Sequence, residues 1–171
     1  DLANAGYSPE QLINAGVKPS DLKGIVSCAQ IARSKDTSIP VAQLKALGCT
    51  AAQMREAGYT AQQLKEAGYS AEALKAAGYN AADLLKAGYS PKELHDAGYS
   101  AQEMREAGAS ASALKDAGYS PAEMEKAGYT AGDLVRAGFS PSEIPMGTGI
   151  EKALAEEMAK GVSCEQLKKE G

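Results

Sequence analysis

Large apolar side chains recur every ten residues along most of the chain, separated by small and polar ones. Leu or Met occupies the same place in every ten-residue segment from Leu44 to Leu134. Gly follows four residues later, and most of these glycines are followed by an aromatic residue and then by Ser, Thr or Asn. Such a fixed short period is typical of repeat proteins, in which neighbouring repeats bury one another's apolar faces.

Each ten-residue segment carries the signals of a helix that begins and ends within it. Thr60 is a typical N-cap, and Gln63 completes a capping box with it. Gly68 suits the position after the helix, where glycine adopts a left-handed backbone at little cost. Acidic residues pair with the caps in other repeats: Ser90 with Glu93, Ser100 with Glu103, Ser120 with Glu123 and Ser140 with Glu143. The pattern predicts one helix of about two turns in every repeat.

The aromatic residues are predicted to connect successive helices. Tyr59 precedes the N-cap Thr60, so its ring can pack on Leu64; it also follows Gly58, so it can pack on Met54 of the preceding helix. Isolated helices need roughly 12 to 15 residues for even marginal stability, so helices this short must support one another. We therefore predict an all-α fold, a solenoid of short capped helices with one helix per ten-residue repeat.

The register of the repeats slips twice, and the slips set the predicted organisation. Residues 1–23 hold the first repeats, 24–40 an irregular join with a short helix, 41–144 the regular array, and 145–171 a longer helix and a resumed repeat. Neither slip carries a long linker, so one continuous solenoid is expected. Because the sequence begins and ends within a repeat, we expect a piece of a longer protein.

Composition argues against two classes of partner. The 171 residues carry a net charge of −4, with lysine and glutamate interleaved, whereas a nucleic-acid surface needs a basic stripe. No apolar run approaches the roughly 18 residues of a membrane helix, so this segment is not expected to contact a membrane.

Residues that could carry chemistry are few and have simpler interpretations. His95, the sole histidine, takes a place that mostly holds Lys or Arg, which favours an exposed surface residue over a catalyst. Glu93, Glu103 and Glu123 could form an acid pair, but helix capping explains them. One histidine and scattered cysteines make no metal-ligand set. We predict no catalytic, cofactor-binding or metal-binding residue, no cofactor and no enzymatic activity.

Three groups of residues leave alternatives open. The tyrosines could stack on bases or a ligand, although a core position is favoured. Leu85 and Val135 replace the usual basic residue and could mark a contact surface, though single exposed apolar side chains are common. The cysteines are Cys28, Cys49 and Cys164. A buried unpaired thiol is favoured for each, with a disulfide or an intermolecular bond as the alternative.

The repeat resembles a known family. Tandem decapeptides of the form A-G-[YF]-[ST]-x-x-[EQ]-L-[KR]-x, broken by units such as ALGCTAAQMREAGYT and AKGVSCEQLKKEG, resemble the repeat region of the IcmE/DotG core component of type IVB (Dot/Icm) secretion systems. The resemblance covers nearly the whole chain. It implies a spacer or scaffold segment in the periplasm, with protein subunits of the secretion complex and further copies of the chain as partners. It carries over no functional residue.

Two hypotheses follow for the function. The first is a non-catalytic structural scaffold or spacer of a cell-envelope secretion complex. The alternative is a protein- or peptide-binding adaptor that uses the irregular joins at residues 24–40 and 145–161.

Overall fold

The chain forms a succession of short helices separated by tight turns. The structure, a computed structural model, describes residues 6–7, 9–18, 21, 28, 40–145 and 156. The helices are α1 (Pro9–Asn14), α2 (Val41–Ala46), α3 (Ala51–Glu56), α4 (Ala61–Glu66), α5 (Ala71–Ala76), α6 (Ala81–Lys86), α7 (Pro91–Asp96), α8 (Ala101–Glu106), α9 (Ala111–Ala117), α10 (Pro121–Lys126) and α11 (Ala131–Arg136). The described residues contain no strand, and the predicted all-α repeat fold is confirmed.

The helices of the array begin at the predicted caps. The Gln63 N–H donates to the Thr60 hydroxyl at 3.3 Å, and the Gln63 side-chain oxygen accepts from the Thr60 N–H at 2.9 Å. The same reciprocal pair joins Thr50 with Gln53, Ser90 with Glu93, Ser100 with Glu103, Ser120 with Glu123 and Thr130 with Asp133. The reciprocal bonds fix the start of each of these helices to one residue.

The cap at Ser140 forms without a helix behind it. The Glu143 carboxylate accepts from the Ser140 N–H at 2.8 Å, yet residues 141–143 form only a turn. Pro145 explains the difference, because it lacks an N–H and disfavours helical backbone at Ile144. The helix expected after Ser140 therefore stops at its first turn.

The helices end in Schellman motifs, as the glycines predict. Gly58 has φ +87°, and its N–H donates to the Arg55 carbonyl at 2.9 Å. The Tyr59 N–H donates to the Met54 carbonyl at 3.0 Å. This pair of bonds defines the motif, and it places the aromatic residue directly after the left-handed glycine.

The core is a line of single large side chains, one from each repeat. Those with almost no exposed surface are Leu44, Met54, Leu64, Leu74, Leu84, Leu94, Met104, Leu114, Met124 and Leu134. Within the first part of the chain α4 packs on α2 and α6, and α3 packs on α5. Within the later part α9 packs on α7 and α11, and α10 packs on α8. A helix two places along the chain is thus a main packing partner of each of these helices, whereas the sequence pattern predicted packing on the adjacent helix.

Two compact units divide the chain, residues 1–89 and residues 90–171. Their boundary falls inside the predicted array 41–144, and the continuity of the array across it stays a prediction. Apart from residues 28, 40, 145 and 156, the predicted join at 24–40 and the longer helix of 145–171 lie outside the described residues. In the described part, every helix is too short and polar to cross a membrane.

Substitutions at two glycines distinguish the cost of backbone strain from the cost of steric crowding. Gly58 and Gly78 have φ +87° and +86°; an added Cβ meets nothing within 4 Å at Gly58 but would lie 2.7 Å from an Arg55 guanidinium nitrogen at Gly78. We expect Gly58→Ala to lower the free energy of unfolding by about 1–2 kcal/mol, the cost of a left-handed residue with a Cβ. Gly78→Ala should cost more, because Arg55 must also move. Urea unfolding followed by circular dichroism measures both; equal losses would show that the position of Arg55 is immaterial.

Candidate functional site

Within each unit, tyrosine hydroxyls join several repeats to the backbone of the repeat two places earlier. The Tyr89 hydroxyl donates to the Tyr69 carbonyl at 2.6 Å, and the Tyr69 hydroxyl donates to the Cys49 carbonyl at 2.6 Å. Three more such bonds, each spanning 20 residues, run from Tyr79 to Tyr59, from Tyr119 to Tyr99 and from Tyr129 to Ala109. The prediction that the rings belong to the core is confirmed for Tyr69, Tyr79, Tyr89, Tyr99, Tyr119 and Phe139, whereas Tyr59 and Tyr129 are half-buried. The hydroxyls reach the second repeat rather than the adjacent one.

Burial keeps the linking phenols protonated. It raises the pKa of Tyr69 above the ordinary value for a phenol. The pKa of Tyr119 rises to about 12, first through burial and then through the nearby carboxylates of Glu103 and Glu123. A protonated hydroxyl is required to donate to a carbonyl, so these bonds persist throughout the neutral pH range.

Basic side chains cover several of the same rings. The Arg55 guanidinium carbon lies 5.6 Å from the centre of the Tyr79 ring, and Arg55 donates to the Ala77 carbonyl at 3.1 Å. We call this arrangement a ring clamp: a basic residue that lies over the aromatic ring 24 residues later and donates to a carbonyl 22 or 23 residues later. Further ring clamps join Lys45 with Tyr69 and Gly68, Lys65 with Tyr89 and Gly88, Arg105 with Tyr129 and Ala127, and Lys115 with Phe139 and Gly138.

The ring clamps are functional contacts that were missed from the sequence, although the chain carries a signal for them. Basic residues stand 24 places before Tyr59, Tyr69, Tyr79, Tyr89, Tyr99, Tyr129 and Phe139. Leu85, Glu125 and Val135 occupy the same repeat position, and the residues 24 places after them are not aromatic: Ala109, Gly149 and Ala159. The offset accounts for the apolar side chains of Leu85 and Val135 without a contact surface.

His95 occupies the ring-clamp position for Tyr119 but carries an imidazole. The two ring centres lie 4.4 Å apart with their planes at 78°. The His95 Nδ1 atom is buried without a hydrogen-bond partner, and the nearest carboxylate oxygen, Oδ1 of Asp96, is 3.5 Å away. His95 was predicted to be an exposed surface residue; its side chain is half-buried, 32% exposed, because it lies on the Tyr119 ring.

The glutamates considered as an acid pair serve as helix caps. The Glu123 carboxylate accepts from the Ser120 hydroxyl at 2.6 Å and from the Ser120 N–H at 2.8 Å. These two bonds lower the pKa of Glu123, and the charges of His95 and Lys126 contribute less. Glu93 and Glu103 bond their own caps in the same way, which confirms the capping interpretation.

Metal-ligating side chains do not converge in the described part of the chain. No group of three or more His, Cys, Asp or Glu residues is placed there to hold a metal ion. That the chain has no catalytic, cofactor or metal site stays a prediction.

A groove recurs in both units beside a helix start. In the first unit it encloses about 290 Å³, between residues 60–62 and residues 79–87. In the second unit the equivalent groove encloses about 430 Å³, between residues 98–102 and residues 119–127, and His95 also lines it. The larger groove presents the carboxylate of Glu123 and the ammonium of Lys126.

Cys28 and Cys49 form a disulfide with their Cα atoms 5.4 Å apart. The favoured prediction of unpaired thiols is wrong for these two residues, while Cys164 lies outside the described residues. Cys49 stands where later repeats carry an aromatic residue, and its bond reaches back 21 residues, close to the 20 residues of the tyrosine bonds. The disulfide thus takes the place of a tyrosine bond. The separation of 21 residues between Cys28 and Cys49 indicates a bond only when it is compared with the 20-residue offset of the tyrosine bonds.

Removal of one hydroxyl tests the tyrosine bonds. Tyr89→Phe keeps the ring but leaves the Tyr69 carbonyl without this donor, so we expect a loss of about 1–2 kcal/mol in the free energy of unfolding. Tyr89→Ala should lose about 3–5 kcal/mol, because the ring goes too. Lys86→Ala, on an exposed side chain, is the control. A Tyr89→Phe variant as stable as that control in urea unfolding would rule out a stabilising role for the hydroxyl.

Reduction tests the disulfide. Closing a loop between residues 21 positions apart should stabilise the fold by about 3 kcal/mol through the entropy of the unfolded chain. We expect dithiothreitol to lower the melting temperature of the wild-type chain and of Cys164→Ala. The double variant Cys28→Ala/Cys49→Ala should be indifferent to it. A wild-type melting curve that the reductant leaves unchanged contradicts the prediction.

Comparison with known proteins agrees with the repeat geometry. The sequence model of a family described as "Decapeptide repeat region" matches residues 26–101 and, in a second overlapping match, residues 78–147. No curated protein and no solved structure shows significant similarity to the chain.

Proposed function

The chain belongs to the decapeptide repeat region family, and from that premise we propose that it is a non-catalytic structural spacer in a cell-envelope secretion complex of type IVB. In this proposal it assembles with other protein subunits of the complex, including further copies of itself, in the periplasm. The type of complex rests on the resemblance of the decapeptides to the IcmE/DotG repeat region.

The repeated bond across 20 residues is the observation that carries the structural part of the proposal. In the described residues, the recurring side chains make contacts within the chain: hydroxyl caps bond their own helix, and several tyrosines and basic residues bond earlier or later repeats. An array built in this way extends by adding equivalent repeats. Spanning a distance is the function that such an architecture supports best.

The disulfide supports the proposed compartment. Disulfides form and persist in the bacterial periplasm and on cell surfaces and are rare in the reducing cytosol. Cys28 and Cys49 are bonded at a position where the other repeats use a tyrosine, so the cross-link replaces a structural contact. A fold that depends on an oxidised pair suits the periplasm.

Two deletions in the full-length protein test the spacer. Deleting residues 61–80 removes two whole repeats and keeps both the 20-residue and the 24-residue offsets, whereas deleting 61–75 breaks them. We expect the longer deletion to assemble in the envelope and to shorten the complex in electron cryotomography. The shorter deletion should fail to assemble. A complex of unchanged length, or a protein found outside the envelope, would overturn the proposal.

The recurring groove favours one second candidate, a peptide-binding adaptor. The groove of about 430 Å³ offers Gln102, Glu123 and Lys126 to a partner. Under this alternative, Gln102→Ala/Lys126→Ala should abolish cross-linking to a complex subunit while leaving the melting temperature intact. The same changes at the smaller groove, Gln62→Ala/Lys86→Ala, are the matched control. Assembly that survives both pairs favours the spacer.

A further inference from the structure

His95 is the single departure from an otherwise regular pairing. From Tyr59 to Phe139, each aromatic residue of the repeats has Lys or Arg 24 places before it, except Tyr119, which has His95. Lysine and arginine are charged at all physiological pH values, whereas an imidazole changes charge between about pH 5 and 8. The pairing therefore places one titratable residue in a series of permanent cations.

The imidazole lies where the permanent cations lie. A Cβ added to Gly118 would be 3.6 Å from the His95 Cε1 atom. At the equivalent positions of two ring clamps, a Cβ added to Gly128 would lie 2.6 Å from an Arg105 guanidinium nitrogen, and one added to Gly138 would lie 3.0 Å from the Lys115 ammonium. The His95 side chain therefore rests against the same glycine and the same aromatic ring as its counterparts, but without a fixed charge.

We propose that His95 is a proton-controlled ring clamp, which closes on Tyr119 when the imidazole is protonated and makes the second unit more stable below neutral pH. A positive charge within about 6 Å of the face of an aromatic ring is attracted by it, and the two ring centres here are 4.4 Å apart in an edge-to-face arrangement. The buried Nδ1 atom of His95 has no hydrogen-bond partner, a state that costs free energy.

Charged groups of both signs surround His95. On its own helix, Asp96 places Oδ1 at 3.5 Å, where a protonated Nδ1–H can reach it after a small shift, and Lys92 bonds the same carboxylate. Across the groove, Glu123 comes from α10, with Lys126 on the same helix. The pKa of Asp96 is lowered, first by the hydrogen bond from Lys92 and further by His95.

The helix that packs on α7 adds no competing cation. On α9, the Lys115 ammonium donates to the Gly138 carbonyl and lies over Phe139, and Asp116 is exposed. Tyr119 is neutral, since its pKa is about 12. The charged groups near the imidazole are therefore the carboxylates of Asp96 and Glu123 and the ammonium groups of Lys92 and Lys126, of which Lys92 is bonded to Asp96.

The direction of the pH effect follows from which form gains contacts. A protonated imidazole carries a positive charge that the ring and the carboxylates attract, and a neutral one lacks it, so the proposed stabilisation is present at low pH and lost as the pH rises through the range in which imidazoles release a proton. The cap carboxylate of Glu123 works in the opposite direction. Its lowered pKa means that capping is lost only as the pH falls further, below this range.

Thermal unfolding of the whole 171-residue chain at pH 5.5 and pH 7.5 tests the proposal. We expect His95→Gln to lower the melting temperature by about 2–4 °C at pH 5.5, the shift that roughly 1 kcal/mol produces in a chain of this size, and hardly at all at pH 7.5. His95→Arg should stabilise equally at both pH values, because it can reach the Ala117 carbonyl as Arg55 reaches Ala77.

Two matched variants separate a proton-controlled contact from a merely structural one. Lys115→Gln removes a ring clamp of the same unit whose charge does not depend on pH, so the drop in melting temperature should be the same at both pH values. Tyr119→Leu removes the ring and should abolish the pH dependence of the His95→Gln effect. Equal losses for His95→Gln at both pH values, a larger loss at pH 7.5, or a pH dependence that survives Tyr119→Leu would each overturn the proposal.

Discussion

The structure depends on contacts between repeats, because no repeat contains a helix that could stand alone. The helices of the array are six or seven residues long, about half the length at which an isolated helix becomes even marginally stable. Caps at both ends satisfy the free backbone groups but bury almost no apolar surface. Most of these helices are held by one fully buried Leu or Met and one aromatic ring, and several tyrosine hydroxyls bond the backbone two repeats earlier. Without these contacts, the caps alone would not keep helices of this length folded.

Whether a feature could be predicted from the sequence depends on how far apart along the chain the interacting residues lie. Helix starts and ends were predictable, because Thr60, Gln63 and Gly68 act on backbone groups a few residues away. The packing partner was not predictable from a ten-residue period, which is the same whether a helix packs on its first or its second neighbour. Only coordinates reveal that the second neighbour receives the tyrosine hydroxyl.

The ring clamps and the disulfide were missed for the same reason. Each side chain has a plausible local interpretation: Arg55 suits the end of a helix, and Cys49 suits a small core position. Their partners lie 24 and 21 residues away, so local reasoning stops before it reaches them. With the 24-residue offset in hand, the pairing of basic and aromatic residues can be read from the sequence. Where Ala109 replaces the aromatic residue, Leu85, 24 places earlier, replaces the basic one.

The repeats differ mainly in how the same inter-repeat contact is made, and the differences give the array its chemistry. Tyrosine supplies a neutral hydrogen bond, lysine and arginine supply a permanent charge, Cys49 supplies a covalent bond, and His95 supplies a charge that depends on pH. A disulfide responds to the redox state of its compartment and an imidazole to pH, whereas the other contacts respond to neither. The proposed periplasmic spacer would meet both variables. The substitutions therefore place environmental sensitivity in particular repeats, while the regular ones keep the fold.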